Sequence, residues 1–354
     1  VAKNTPLDTP IPAPSRLVTG GKASHGWFSE AMRVANLADE EIGGAMGRGS
    51  LRRLRLKQWQ FLLIDTPECI AGVAAVDAGY VGNAFAWVFD KARNVLEERN
   101  ALFPFGGGVT VAASSVRGTT RVEGKGVDLT LTSRYEDGVR TLQARFPARG
   151  THGALEFDLR VADAPTGRPP MVVAWPVAAQ RTALAHKIGG LPVKGTIRVG
   201  DRRYEATEET STASMDHTQG YFTYNTYWNW ASFSGVSDWG TRVVVDVDLV
   251  KTAAGKAMNR NCFVWFDRQL VRLPPVTFEY AQPAHDWRLK SADGRLDLRF
   301  HPLGVRRDRL EHLPIGYDFV QPIGVFSGTL VDPDDVVHAV SNAWGVAEEH
   351  TARW

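Results

Sequence analysis

Apolar side chains recur at every second position through most of this chain, the spacing of strands with one buried face. Val127, Leu129 and Leu131 alternate with Asp128, Thr130 and Thr132, and Leu155, Phe157, Leu159 and Val161 alternate with Glu156, Asp158 and Arg160. Further on, Val243, Val245, Val247 and Leu249 stand against Arg242, Asp246 and Asp248. Leu296, Leu298 and Phe300 repeat the pattern against Asp297 and Arg299. Antiparallel sheets with one solvated face read this way. Turn signals at Glu136-Asp137-Gly138 and Asp293-Gly294 fall between such runs at hairpin spacing. Helical spacing is confined to 27–36, 92–100 and, after Pro333, 334–341, each enough for one short helix.

A chain of 354 residues exceeds one core of ordinary size, so two domains are expected. The sequence also echoes itself. Val109-Thr110-Val111 returns as Val276-Thr277-Phe278, Val127-Asp128-Leu129-Thr130-Leu131 as Leu296-Asp297-Leu298-Arg299-Phe300, and Gly153 as Gly324. The three echoes keep their order at a common offset of roughly 170 residues, the mark of a duplicated domain. The Gly- and Pro-bearing stretch 191–201 is the expected boundary. That gives an N-terminal extension over 1–40, a first β-domain over 41–195 and a second over 196–354. The fold class is therefore all-β: two tandem antiparallel barrels, or barrel-like sandwiches, with a few short helices. A closed barrel buries one face of each strand and hides the sheet edges together.

Charge narrows the function classes. With 41 basic and 39 acidic residues the net charge is +2, so there is no basic excess for nucleic acid. The one basic run, Arg52-Arg53-Leu54-Arg55-Leu56-Lys57, reads as an edge or surface strand with solvated arginines. Cys69 and Cys262 are far apart and lack partners at metal-ligand spacing. Both sit among apolar residues and read as reduced core thiols, with a disulfide between them left open. Val1 to Arg16 holds four prolines and no apolar segment of signal-peptide length, and no later run nears the roughly 18 apolar residues of a membrane span. The expected location is the cytoplasm. No cofactor and no metal are implied, and the oligomeric state is open.

One region carries chemistry-bearing residues at high density: Asp216-His217, Gly220-Tyr221, then Tyr224, Tyr227, Trp228, Asn229 and Trp230. A carboxyl group set against an apolar wall stays protonated to higher pH and donates near neutrality. Aromatic faces stabilise a developing cation. Asp216 and His217 are the candidate catalytic residues, and Tyr221, Tyr227, Trp228 and Trp230 the candidate substrate-binding residues. Neighbours on a strand point to opposite faces, so Asp216 and His217 share a cavity only across a bulge. The alternative is structural: aromatics filling a β-core and an Asp-His pair capping backbone amides. The C-terminal Glu348-Glu349-His350 lacks the spacing of a helical zinc motif and reads as solvated charge on a terminal strand, with Trp354 packed over it.

The chain also resembles the family catalogued as domain of unknown function 2804. The resemblance runs from about Pro12 to Trp354 and rests on Asp216, Gly220-Tyr221, Trp228-Asn229-Trp230-Ala231, Asn259-Arg260-Asn261, Phe278-Glu279-Tyr280, Trp287 and Asp293-Gly294-Arg295. It continues through Leu298-Arg299-Phe300-His301-Pro302, Gly324-Val325-Phe326-Ser327-Gly328, Gly345, Glu348, His350 and Arg353-Trp354. That family is similar to two-domain lipocalin-like proteins that include carotenoid 1,2-hydratases and natural-product cyclases. Those carry a Trp-x-Asp-(Arg/His)-x-Trp-Gly-like segment followed by a Trp-x-Trp pair. Asp216-His217 matches the acid-base pair, and Trp228 and Trp230 match the tryptophans. Ser214 stands in place of the first tryptophan, and Gln219-Gly220 in place of Trp-Gly.

The resemblance implies two lipocalin-like barrels and a hydratase- or cyclase-like enzyme acting by acid catalysis on an apolar, isoprenoid- or polyketide-like substrate. Two other functions compete. A non-catalytic lipocalin-like protein would hold a hydrophobic small molecule in a deep barrel pocket. A structural protein would place Trp228, Trp230 and Trp239 at an interface.

Overall fold

A computed structural model describes residues 9–43, 49–165, 167–251, 257–258, 260–312 and 315–354. The first eight residues of the expected extension, and Asn259 of the family pattern, lie outside the described residues. Helical structure among the described residues is limited to the 3-10 turns Leu37–Asp39, Gly49–Leu54 and Tyr135–Asp137. None of the three expected helices forms. Trp27 and Phe28 belong to the strand Gly26–Phe28, 92–94 is a turn leading into Val95–Pro104, and 333–334 is a turn before Val337–Arg353. In 27–36 the apolar spacing instead serves an irregular segment whose Phe28, Met32 and Ala35 join an apolar cluster.

The chain divides into two compact units, Val1–Val88 with Glu97–Phe222, and Phe89–Leu96 with Thr223–Trp354. The division at 222 lies downstream of the expected 191–201. That stretch falls largely inside the single strand Arg181–Val199. Its first half pairs with Met171–Ala178 and Thr212–Gly220, its second half with Leu155–Ala162 and Arg202–Ala206. The register shifts between Ile188 and Leu191, where Gly190 takes φ +65°, a backbone angle that glycine adopts without strain. The expected boundary thus begins just after a bulge that bends one strand between two sets of partners.

In the first unit the sheet runs Val95–Pro104, Val81–Asp90, Cys69–Asp77, Lys57–Asp65, Thr212–Gly220, Arg181–Val199, Leu155–Ala162, Val139–Phe146, Val127–Arg134, Arg117–Gly124 and Val109–Thr110. Val109–Thr110 and Arg117–Gly124 come back against Cys69–Asp77, so the sheet curls into a barrel. Leu62, Val73, Leu131, Leu142, Phe157 and Met215 are among the side chains that fill it. The described part of the expected extension, 9–40, packs into this unit: Leu17, Phe28, Met32 and Leu37 join Val172, Leu184 and Tyr221 in one cluster. The basic run corrects likewise. Arg52 and Arg53 lie in a 3-10 turn, Arg52 bonds to the Tyr221 hydroxyl and the Glu40 carbonyl, and Lys57 is buried.

The second unit repeats the design. Its sheet runs Gln269–Arg272, Phe263–Phe266, Arg242–Lys251, Asn225–Val236, Val337–Arg353, Ile315–Val331, Leu296–His312, Trp287–Ser291 and Val276–Glu279. Val276–Glu279 returns against Arg242–Lys251, and Phe233, Val245, Trp287, Phe300 and Phe326 fill the lumen. Two of the three sequence echoes occupy equivalent places: Val109-Thr110 and Val276-Thr277 lie in the strands that end the two strand orders, and Val127–Arg134 and Leu296–His312 are third from that end in each. Gly153 and Gly324 are not equivalent by strand. Cys69 and Cys262 are both buried, and no disulfide joins them. No helix among the described residues is long and apolar enough to cross a membrane.

Candidate functional site

Asp216 lies on the strand Thr212–Gly220, directly between Lys187 on one neighbouring strand and Phe61 on the other. Its side chain points away from the barrel core, because Met215 and His217 take the core side. One carboxylate oxygen accepts the Thr218 hydroxyl at 2.6 Å, and the other accepts the Trp59 indole N–H at 3.2 Å. The Lys187 ammonium stands 3.5 Å from that second oxygen, with the two side chains only 6% and 13% exposed. Trp59 stacks on Phe222 with centroids 5.5 Å apart, and Phe61 leans on Phe85. The rings beside Asp216 are Trp59 and Phe61 rather than the expected Tyr221, Tyr227, Trp228 and Trp230, and the carboxylate is an acceptor ringed by three donors rather than an acid bare against apolar rings.

His217 faces the opposite way, into a polar layer inside the barrel. Its Nε2 meets the Ala112 carbonyl at 2.8 Å. Across the strand pair stands His186, whose Nδ1 is 2.7 Å from the Ser115 hydroxyl. Beside it, Arg140 binds Asp163 at 2.5 Å, each side chain 1% exposed, and also bonds to the Ser115 carbonyl and Ser133. Burial holds the His217 imidazole below its ordinary pKa, despite the Ala112 carbonyl and Asp216 pulling it up. Burial, then Arg140 and His217, depress His186 further. Tyr221 is buried too, with its hydroxyl receiving Arg52 Nε at 3.1 Å; burial pushes its pKa up. The structure thus puts Asp216 and His217 on opposite faces and Tyr221 in an apolar cluster.

The remaining candidates belong to the second unit and split across the two faces of the strand Asn225–Val236. Tyr227 and Asn229 share the core side with Ala231 and Phe233. Trp228 and Trp230 are on the other. Trp230 is buried and donates to Asp246 at 3.0 Å. Trp228 donates to Glu348 at 3.2 Å, and Gln321 donates to the other Glu348 oxygen at 2.7 Å. Trp228 also stacks on His350, which is 7% exposed rather than solvated as the sequence reading had it. Trp354 does lie over that imidazole, centroids 6.2 Å apart. Of the tryptophans expected at an interface, only Trp239 is largely exposed.

Sequence reasoning missed Lys187, Trp59 and His350. A signal for the first existed: Lys187 and His186 interrupt the apolar run Ala183-Leu184-Ala185…Ile188, and a lysine in a buried strand requires a partner. Among the described residues no three His, Cys, Asp or Glu side chains gather as metal ligands would.

The model of one protein family, described as a domain of unknown function (DUF2804), matches residues 10–354. The chain belongs to DUF2804. No curated protein matches this DUF2804 chain. Among solved structures it is similar to CghA, alone and with Sch210972, at 11% identity and TM-score 0.54, over 83% of this chain and 87% of that one. Kievitone hydratase from Nectria haematococca follows at 13% identity and TM-score 0.47, over 84% and 88%. At this identity the likeness to CghA is one of fold, and that fold is the pair of lipocalin-like barrels built here by a DUF2804 sequence.

Proposed function

We propose that this chain is an enzyme of hydratase- or cyclase-like type that moves a proton on a small, largely apolar, isoprenoid- or polyketide-like molecule. Asp216 is its reacting carboxylate. The observation that carries this reading is the Asp216–Lys187 pair, 3.5 Å apart and largely buried on a sheet face that also presents Trp59, Phe61, Met171, Val173 and Thr218. Burying an ion pair adds little to stability compared with apolar side chains of the same volume, so a fold has no need of one there. Chemistry does: the carboxylate accepts a proton, the ammonium gives one, and the adjoining rings favour a cationic transition state. His217 acts through position, fixing the strand from the core side. That CghA, a protein of the same fold, has been crystallised with Sch210972 supports a small-molecule substrate. A carrier function inside either lumen is disfavoured, since core side chains fill both.

Native mass spectrometry with organic extraction of the purified protein identifies the molecule class. Turnover of that molecule by Asp216→Asn then tests the assignment. Loss of at least ~100-fold is expected for removing a proton-transfer group. Undiminished turnover refutes the role given to Asp216.

A further inference from the structure

The core side of the second unit's sheet changes character toward one end. Beyond Phe233 and Phe326, Tyr280 lies flat on Trp287 at 3.8 Å between centroids and closes the apolar lumen. The Tyr280 hydroxyl donates to Glu349 and receives Asn229 Nδ2 at 2.7 Å, so the closure is polar on its outer side. Above it opens a cleft of about 500 Å³. That volume lies within the range of small-molecule sites, roughly 300–1,000 Å³.

Register builds the cleft wall. Lys251, Tyr227, Thr351, Asp318 and Arg309 stand abreast on five neighbouring strands, and Asn225, Arg353, Gly316 and Glu311 form the next row. Residues paired across antiparallel strands share a face, so both rows continue the core side of Ala231 and Phe233. Two of the cations are spoken for: Arg307 holds Asp318 by two bonds, at 3.2 and 2.7 Å, and Arg309 binds Glu311. Lys251 and Arg353 have no carboxylate at ion-pair distance among the described residues. Lys251 sits 4.2 Å over the Tyr227 ring. Arg353 lies over Gly316, where a Cβ would come within 3.0 Å of its Nη2. The two cations therefore flank Tyr227, with strand positions about 12 Å apart, two sheet spacings across and one row along. Around them Asn225, Thr351, Asp318 and Glu311 offer polar groups, and Leu310 is the one large aliphatic residue on the wall.

We propose that this cleft binds a small hydroxylated monocarboxylate, of the size and polarity of a hexuronic acid. Its carboxylate pairs with Lys251 and Arg353. Its hydroxyls donate to Asp318 and Glu311 and bond to Thr351 and Asn225. The site is separate from the Asp216 cluster and from the apolar molecule proposed there, and it stands or falls alone.

Isothermal titration of the full chain with glucuronate, glucose and glucosamine tests this, because the three share a ring and differ in charge. Saturable binding of glucuronate, weaker binding of glucose and none of glucosamine are expected. Lys251→Met with Arg353→Met should weaken glucuronate at least ~10-fold, whereas Lys251→Arg should retain it. Both positions are at the surface end of strands, and unchanged thermal unfolding of the variants checks their fold. Equal affinity for glucose, an undiminished affinity in the double variant, or no saturable glucuronate binding overturns the proposal. Glucose 6-phosphate bound in preference to glucuronate overturns the carboxylate assignment.

Discussion

Trp228 lies flat against the imidazole of His350, ring centroids 4.0 Å apart and planes 13° from parallel. Phe319 meets the same imidazole edge-on at 5.3 Å. Neither His350 nitrogen has a hydrogen-bond partner among the described residues. A ring packed this way is used as an aromatic slab, and desolvation drives its pKa down to about 3.

The pH consequence follows from linkage. The folded pKa lies below the ordinary 6.5, so between about 6.5 and 3 the unfolded chain binds a proton that the folded one refuses. Stability therefore falls as pH drops through this window, by up to about 1.4 kcal/mol per pH unit for this residue. His186 and His217, also depressed by burial, act in the same direction. His350→Phe should leave stability at neutral pH unchanged or higher, since it removes two unmatched polar atoms. It should also reduce the acid slope by one proton. Denaturant unfolding from pH 7 to 4 measures both, and an unchanged slope would show that His350 is protonated in the folded state.

A second prediction concerns the polar layer of the first barrel. Arg140 and Asp163 are each 1% exposed and bonded at 2.5 Å. Arg140→Met strands a buried carboxylate and should cost about 3–5 kcal/mol. Arg140→Met with Asp163→Leu removes both charges and should recover most of that loss. Urea midpoints of the three proteins decide it. A double variant no better than the single would mean that Arg140 acts through Ser115 and Ser133 instead.

Much of the fold was legible because its cause is local. Alternation of Val127, Leu129 and Leu131 needs only the pleat and a buried face, and it gave a core strand. What escaped has causes that a local reading does not contain. The Gly- and Pro-bearing stretch 191–201 looks like a boundary, and only the partners on either side make it part of one bent strand. Asp216 and His217 were placed on opposite faces by strand geometry alone. Lys187, Trp59 and His350 reach their partners Asp216 and Trp228 across more than two dozen residues of sequence, and pairing of that kind is set by sheet register.

Glycine offers a test of the same distinction. Gly153 and Gly324, matched in sequence, occupy different strand positions, yet both sit where backbones meet. A Cβ at Gly153 would run into the Gly200 Cα, and one at Gly324 into the His301 carbonyl beside the register shift at Pro302. Alanine at either site should destabilise by about 1–3 kcal/mol through forced backbone movement. Gly294, in an exposed turn with open space around it, is the comparison: Gly294→Ala meets only its φ of +76° and should cost less. Thermal unfolding of the three variants ranks them, and equal losses would show that conformation, not contact, is the cause.

The Asp216–Lys187 pair gives the last prediction, because stability and function should separate there. Lys187→Met leaves Asp216 with the Thr218 hydroxyl and the Trp59 indole but no cation, in a site where its side chain is 13% exposed. A loss of about 3 kcal/mol is expected, the scale for breaking a buried pair from one side. Adding Asp216→Asn removes the stranded charge and should restore most of it, since the amide oxygen can accept the Trp59 indole N–H while the amide N–H donates to the Thr218 hydroxyl oxygen. The restored protein folds but has neither the carboxylate nor the ammonium, so it should bind the extracted molecule and fail to turn it over. Unfolding midpoints alongside single-turnover assays make the comparison. A double variant that recovers both stability and turnover would reduce the pair to a structural bond and move the chemistry elsewhere in the chain.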